Sequence, residues 1–107
     1  MFWGAEAVTV EIDEVVRTAI RERRLIEFWL QGLRRIAEPH LYGIHKATRQ
    51  LLVYQVGGES RSGDLPDWRR TDLAEMSGLR LLEDTFAGPR ISSSRHTQWD
   101  VVLARVE

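Results

Sequence analysis

The hydrophobic pattern of this chain changes once, near Arg24, from a helical period to an alternating one. Before that point, residues 10–24 place apolar side chains three and four positions apart, which predicts an amphipathic helix. Thr9 is a suitable N-cap, and acidic residues in the first turns with arginines in the last complement the helix dipole. After that point the segments are short and rich in β-formers. The sequence therefore predicts one helix followed by strands.

A hairpin is predicted directly after the helix. Alternation over residues 25–30 predicts a first strand, and residues 33–38 are its partner across a turn at residues 31–32. Pro39 has no amide hydrogen, so we expect it to end the second strand or to place that strand at a sheet edge. Residues 41–44 are a candidate extension of the sheet.

The rest of the chain alternates between turns and short apolar segments. The predicted order is a turn at 45–49, a strand at 50–56, a long loop at 57–67, a strand at 67–71, a helical turn at 72–76, a strand at 78–83, a loop or tail at 87–98 and a final strand at 99–106. One helix with four to six short strands predicts a mainly β fold built as a small barrel. We accordingly expect an N-terminal extension at 1–9, a helix-plus-barrel domain at 10–90, and a C-terminal tail or final strand at 91–107.

The composition restricts the class of protein. The length of 107 residues is enough for one domain. Fifteen Lys and Arg against sixteen Asp and Glu give a formal charge of −1, so any basic surface must be local. The absence of cysteine excludes disulfides, a thiolate nucleophile and a cysteine metal site. No apolar stretch is long enough to cross a membrane and no signal peptide is recognised, so we expect a cytoplasmic protein.

The three histidines do not form a metal-binding motif. His40 and His45 are separated by an odd number of residues, so a continuous strand would point them to opposite faces. No helical spacing that is typical of metal ligands occurs either. We interpret the histidines, including His96, as surface or turn residues, and we expect no metal site and no cofactor.

Two segments contain some of the residues of catalytic or phosphate-binding motifs, but in the wrong setting. Residues 92–94 with His96 and Asp100 supply the residue types of a serine triad, yet they lie in the least structured predicted segment. Residues 58–63 have the glycine spacing of a phosphate loop, but Asp64 follows where that chemistry requires lysine. We therefore expect that the protein is not an enzyme.

Arginine dominates the basic residues, since Lys46 is the one lysine among fifteen. A guanidinium suits bidentate binding of phosphate and stacking on bases. On the predicted helix, however, Arg17 and Arg21 follow Asp13 and Glu14 at pairing distance, which favours a solvated stripe of ion pairs, with Arg24 on the same face, over a nucleic-acid surface.

Two mixed aromatic and basic patches are the better candidates for binding. The first joins Trp29 to Arg34 and Arg35, and the second is the run from Trp68 to Arg70. Two interpretations stay open at this point. The tryptophans either provide stacking surfaces for a ligand, or they pack in the core or at its rim while the arginines extend into solvent.

Several runs in the chain resemble WYL domains. The segment 19–29, then Gly32 and 34–40, is similar to the opening of that family, and residues 51–58, the pair Trp68-Arg69 and residues 86–90 resemble its short, stand-alone members. The resemblance covers roughly residues 15–90. It implies an Sm-like or SH3-like small β-barrel preceded by a helix. It also implies a ligand-sensing or regulatory module, because WYL domains usually accompany a DNA-binding helix-turn-helix in bacterial transcription regulators and bind nucleic acid or nucleotides.

The resemblance also assigns individual positions. Arg34 or Arg35 corresponds to the family's arginine on the second strand, and residues 51–53 stand where the Trp-Tyr-Leu signature is expected. This sequence differs from the family pattern there, at Leu30 in place of a tyrosine, and at Asp72 in place of an arginine. An anion in place of a cation at a ligand face disfavours phosphate.

Two functional hypotheses follow from the sequence. The first is a WYL-like regulatory domain, linked to transcriptional regulation, that binds an anionic ligand such as nucleic acid or a nucleotide. Its predicted ligand-binding residues are Trp29, Arg34, Arg35, Tyr54, Trp68, Arg69 and Arg70. The alternative is a protein-interaction or homo-oligomerisation module in which residues 99–106 complete or exchange a strand.

Overall fold

One helix and an antiparallel sheet make up the part of the chain that the computed structural model describes, which is residues 8–60, 63, 65–91 and 98–107. The elements are α1 (Val10–Glu22), β1 (Arg24–Leu30), β2 (Leu33–His45), β3 (Thr48–Gly58), β4 (Asp67–Asp72), a 3₁₀ turn (Leu73–Glu75), β5 (Ser77–Thr85) and β6 (Val101–Arg105). The predicted mainly β fold with an N-terminal helix is confirmed. The sheet is not closed in the structure.

The predicted helix and its cap are confirmed. The Thr9 hydroxyl accepts a hydrogen bond from the Ile12 amide at 3.2 Å, as an N-cap does. The helix ends at Glu22 because Arg23 adopts a left-handed backbone conformation with φ of 55°, and Arg24 already belongs to β1. The buried face of α1 consists of Val16, Ala19 and Ile20.

The strands are ordered β4-β3-β2-β1-β5, and β6 also pairs with β2. The expectation that Pro39 ends the second strand is wrong, because β2 continues to His45. β2 pairs with β1 up to Ala37 and with β6 from Leu41 onward, while Pro39 itself is opposite Val53 of β3. On one side of β2, Pro39 thus lies in the gap between the segment paired with β1 and the segment paired with β6. At that position β2 has a neighbouring strand on its other side only, and such a position tolerates a residue without an amide hydrogen.

The other predicted strands are present with somewhat different ends. The predicted turn at residues 45–49 is a two-residue turn at Lys46 and Ala47, both with positive φ. The predicted helical turn is the 3₁₀ turn, although Asp72 does not cap it. The predicted loop at 57–67 begins after Gly58, and its residues 61, 62 and 64 lie outside the described residues, as do residues 92–97 of the predicted loop at 87–98.

The core lies between α1 and the inward face of the strands. It contains Val16, Ala19, Ile20, Ile26, Phe28, Ala37, Tyr42, Leu51, Val53, Leu73 and Val106. Val106 follows β6, and its amide donates to the His40 carbonyl at 2.9 Å, so the C-terminal segment belongs to the same core as the hairpin. No helix in the described part of the chain is long and apolar enough to span a membrane.

Candidate ligand-binding surfaces

The first predicted patch is divided between the two faces of the sheet. Trp29 and Arg34 are opposite each other on β1 and β2 and share the outward face, where Trp29 is 41% exposed. Arg34 donates from Nε to Glu27 at 2.6 Å, and Arg80 contacts the same carboxylate at 3.1 Å. The hydrogen bond from Arg34 holds the pKa of Glu27 below its ordinary value. The charge of Arg34 is therefore already balanced by a neighbour.

Arg35 points to the other face of β2, into the interior. It is opposite Phe28, which is fully buried, and is itself 5% exposed. Its guanidinium donates to the Gln55 side-chain oxygen at 3.3 Å and to the Leu30 carbonyl at 3.4 Å. A ligand at the surface would reach Arg34 but not Arg35.

The second predicted patch is also divided. Arg69 is opposite Val53 and forms an ion pair with Asp67 at 2.7 Å and a hydrogen bond with Ser60 at 2.9 Å. Arg70 stacks on the Trp99 ring, 3.8 Å from its centroid, and donates to Gln50 at 2.7 Å. Burial lowers the pKa of Arg70. The aromatic partner of Arg70 is thus Trp99, a residue that was predicted only as part of a final strand.

Tyr54 and Trp68 belong to a group whose other members sequence reasoning missed. The group, here called the Glu38 cluster, consists of Glu38, His40, Tyr54, Trp68, Phe86 and Arg90. Arg90 donates from Nε to Glu38 Oε1 at 2.7 Å and from Nη2 to Oε2 at 2.9 Å. Its guanidinium lies over the Tyr54 ring, 4.2 Å from the centroid.

His40 is buried in this cluster, so its interpretation as a surface or turn residue is wrong. Its Nε2 is 2.9 Å from Glu38 Oε1, and the two side chains are each 5% exposed. The rings of Trp68 and Phe86 lie 4.9 and 5.1 Å from the His40 ring. His40 is the extra residue of a bulge, since β2 holds one more residue than β3 between Pro39 and Leu41. The one hint in the sequence is the adjacent Pro39, because proline in a strand is often found at a bulge.

The charges of the Glu38 cluster favour an ionised carboxylate beside a neutral imidazole. Burial alone would raise the pKa of Glu38, but hydrogen bonds from Arg90 and His40 outweigh burial and lower that pKa. Burial also lowers the pKa of His40, and the adjacent Glu38 carboxylate only partly offsets this. The charged groups facing His40 are Glu38 and Arg90.

Stability is therefore expected to fall as the pH drops below about 6.5, the ordinary pKa of histidine. In that range the unfolded chain binds a proton at residue 40 and the folded chain does not, which costs up to about 1.4 kcal/mol per pH unit. The contribution of Glu38 has the same sign but is lost only as the pH falls through its lowered pKa. Urea unfolding of the wild type and of His40→Gln between pH 5 and 7.5 measures this. Equal pH dependence in the two proteins would contradict the assignment to His40.

A separate basic groove lies between α1 and the C-terminal segment. It has a volume of about 620 Å³ and is lined by Arg17, Ile20, Arg21, Arg23, Ala104, Arg105 and Glu107. Arg17 and Arg21 are one helical turn apart on α1, Arg23 ends the helix, and Arg105 lies on β6. We refer to it as the arginine groove.

The charges in the arginine groove are incompletely balanced. Arg17 forms the predicted ion pair with Asp13 at 2.8 Å. Arg21 has two-thirds of its side chain exposed and lies 3.7 Å from Glu22. Arg23 donates to the main-chain oxygens of Ala87 and Glu107. Arg105 is exposed and forms no ion pair with another described residue.

Comparison of the chain with protein-family models, with curated proteins and with solved structures gives no match. In the part of the chain that is described, no group of three or more histidine and carboxylate side chains is arranged to hold a metal ion.

Proposed function

We propose that the chain is a WYL-like regulatory domain that binds a phosphate-bearing ligand, nucleic acid or a nucleotide, in the arginine groove. The observation that carries this proposal is that four guanidinium groups, from α1, from its C-cap residue and from β6, line one groove with one carboxylate among the described lining side chains. Guanidinium groups bind phosphate oxygens through paired hydrogen bonds, and clustered arginines attract polyanions even when the net charge of the protein is near zero.

The topology supports the WYL-like part of the proposal. A helix followed by a strand order of β4-β3-β2-β1-β5, with a 3₁₀ turn between β4 and β5, fits an Sm-like or SH3-like small barrel. β2 is long enough to pair with β1 in its first half and with β6 in its second half.

The arginine groove is better suited to the phosphate groups of a nucleotide or nucleic acid than to the bases. Among the described residues its lining contains no aromatic ring, so the paired N–H groups of its arginines suit phosphate groups better than bases. An extended nucleic acid would therefore contact the groove through its backbone. The aromatic side chains of the sequence-predicted set, such as Trp29 and Tyr54, belong to the outward face of the sheet.

Reversing two exposed charges of the groove tests the proposal. In the double variant Arg21→Glu/Arg105→Glu, the affinity for a labelled oligothymidylate is expected to fall by about tenfold or more, with a smaller salt slope, because two phosphate contacts are lost. Fluorescence anisotropy at two salt concentrations measures both quantities, and circular dichroism checks the fold. The matched control is Lys46→Glu/Arg80→Glu, which changes the net charge equally at exposed positions outside the groove.

An equal loss of affinity in both double variants would contradict the groove and indicate only a general charge effect. A loss on reversing Arg34 and Arg70 instead would place the ligand on the sequence-predicted face. A flat titration of the wild type at both salt concentrations would favour the alternative hypothesis of self-association. For that hypothesis, β4 and β5 are the strands at the two ends of the sheet, and the outer edge of each pairs with no other strand of the described residues.

A further inference from the structure

The Glu38 cluster holds Arg90 as a binding site holds a ligand. Both terminal oxygens of Glu38 accept hydrogen bonds from the guanidinium, and the Tyr54 ring covers one face of that guanidinium at 4.2 Å. This combination of a bidentate carboxylate and a stacked aromatic ring recognises a planar cation with a fork of N–H groups. An ammonium group has neither the plane nor the fork.

The walls of this site are assembled by the sheet and not by Arg90. Glu38, Tyr54 and Trp68 are opposite one another on the adjacent strands β2, β3 and β4, so they share one face in register. The Tyr54 and Trp68 rings meet edge to face at 5.2 Å, and His40 holds Glu38 Oε1 at 2.9 Å. The carboxylate and the ring are therefore positioned before a cation arrives.

The contacts of Arg90 can be exchanged without disturbing the strands. Its side chain is 46% exposed at this site, so solvent and solutes reach the guanidinium. The main chain of its segment is anchored earlier, where the Phe86 amide donates to the Arg23 carbonyl at 2.9 Å and Arg23 donates to the Ala87 carbonyl at 3.2 Å. Ile91, the next residue, is almost fully exposed. A competing cation would thus replace the contacts of one side chain.

A cation is nevertheless required. Glu38 is 4% exposed, and an ionised carboxylate at that depth is costly without a partner of opposite charge. We propose that Glu38 and the Tyr54 ring, which Trp68 supports edge to face, form a guanidinium-binding cage. This cage accepts an arginine side chain of a partner polypeptide, which displaces Arg90 from the same position. This cage is independent of the arginine groove and takes a ligand of opposite charge.

Calorimetric titration with two blocked glycine-rich peptides, one with a central arginine and one with a central lysine, tests the cage. In Arg90→Ala the internal competitor is gone, so the arginine peptide is expected to bind about tenfold or more tightly than it binds the wild type, and also more tightly than the lysine peptide does. Adding Glu38→Gln is expected to abolish binding. The matched control is Arg80→Ala, which removes another exposed arginine from a carboxylate and is expected to gain no affinity.

Displacement in the wild type has its own readout. The Nε–H group of Arg90 lies beside the Tyr54 ring and the Glu38 carboxylate. Its NMR resonance is therefore expected to shift as the arginine peptide is added. Well-dispersed amide resonances in the NMR spectrum are the check that Arg90→Ala is folded. If that variant does not fold, Arg90→Gln, which keeps much of the side chain, replaces it in the titrations. Folded variants that bind neither peptide, or both equally, would overturn the cage. Binding to Arg90→Ala with an unmoved wild-type resonance would overturn the displacement.

Discussion

Replacing Arg35 by alanine is expected to lower the free energy of unfolding by about 3 kcal/mol, whereas replacing Arg34 is expected to cost less than about 1 kcal/mol. The two residues are adjacent, but Arg35 is 5% exposed and donates to Gln55 and to the Leu30 carbonyl inside the fold. Its removal leaves a cavity and takes a donor from buried oxygens. Arg34 is 44% exposed in an ion pair, and Glu27 keeps Arg80 when Arg34 is removed.

Urea unfolding followed by tryptophan fluorescence measures this difference. A third variant, Arg35→Met, keeps much of the volume without the charge and separates the packing of the side chain from its hydrogen bonds. Equal losses for Arg34→Ala and Arg35→Ala would contradict the assigned burial. The result also affects binding studies, because a double alanine variant at 34 and 35 would weaken the fold as well as remove a surface cation.

Replacing Gly43 by alanine is expected to lower the free energy of unfolding by about 2–3 kcal/mol. A Cβ at this position would lie 2.5 Å from the Val101 carbonyl oxygen and 2.6 Å from the Trp99 ring. Either β6 must move away from β2, or Trp99 must leave the strand surface and its stacking contact with Arg70. Both responses loosen the C-terminal segment, which includes the core residue Val106.

The matched control is Gly57→Ala on β3, where the added Cβ would meet Ile36 at an ordinary 3.6 Å. Its free energy of unfolding is expected to stay within about 1 kcal/mol of the wild type. Denaturant unfolding gives the comparison, and a red shift of the tryptophan emission in Gly43→Ala that is absent in Gly57→Ala is expected if the Trp99 ring has moved into water. If both alanines were tolerated equally, the tight approach of β6 to Gly43 would be refuted.

Local signals predicted α1 and the first hairpin because a few residues determine them. Thr9 supplies the cap, and the two residues of the hairpin turn, Gln31 and Gly32, both adopt the positive φ that such turns require. The continuation of β2 through Pro39 was not predictable from the chain itself. Pro39 is tolerated in the strand because the pairing with β1 stops before it and the pairing with β6 starts after it. This arrangement is tertiary and leaves no local pattern in the sequence.

The residues of the candidate sites were likewise only partly predictable from the sequence. Alternation opposite Phe28 could have placed Arg35 in the interior, because residues paired across a hairpin share a face. The contact between Arg90 and Glu38 spans 52 residues, and no periodicity links them. The arginine groove likewise joins the helix to β6, and the acidic neighbours of Arg17 on the same helix favoured an interpretation as ion pairs.

Because β2 pairs with β1 in its first half and with β6 in its second half, the two halves find their partners at different times during synthesis of the chain. β1, the partner of the first half, is adjacent to β2 in the sequence, whereas β6, the partner of the second half, follows β5. The hydrogen bond from the Lys46 amide to Asp100 joins residues that are 54 positions apart. While the chain is being synthesised, residues 41–44 of β2 leave the ribosome long before β6 does. Until then they present an open edge to other nascent chains. Slow translation after β5 would lengthen that interval.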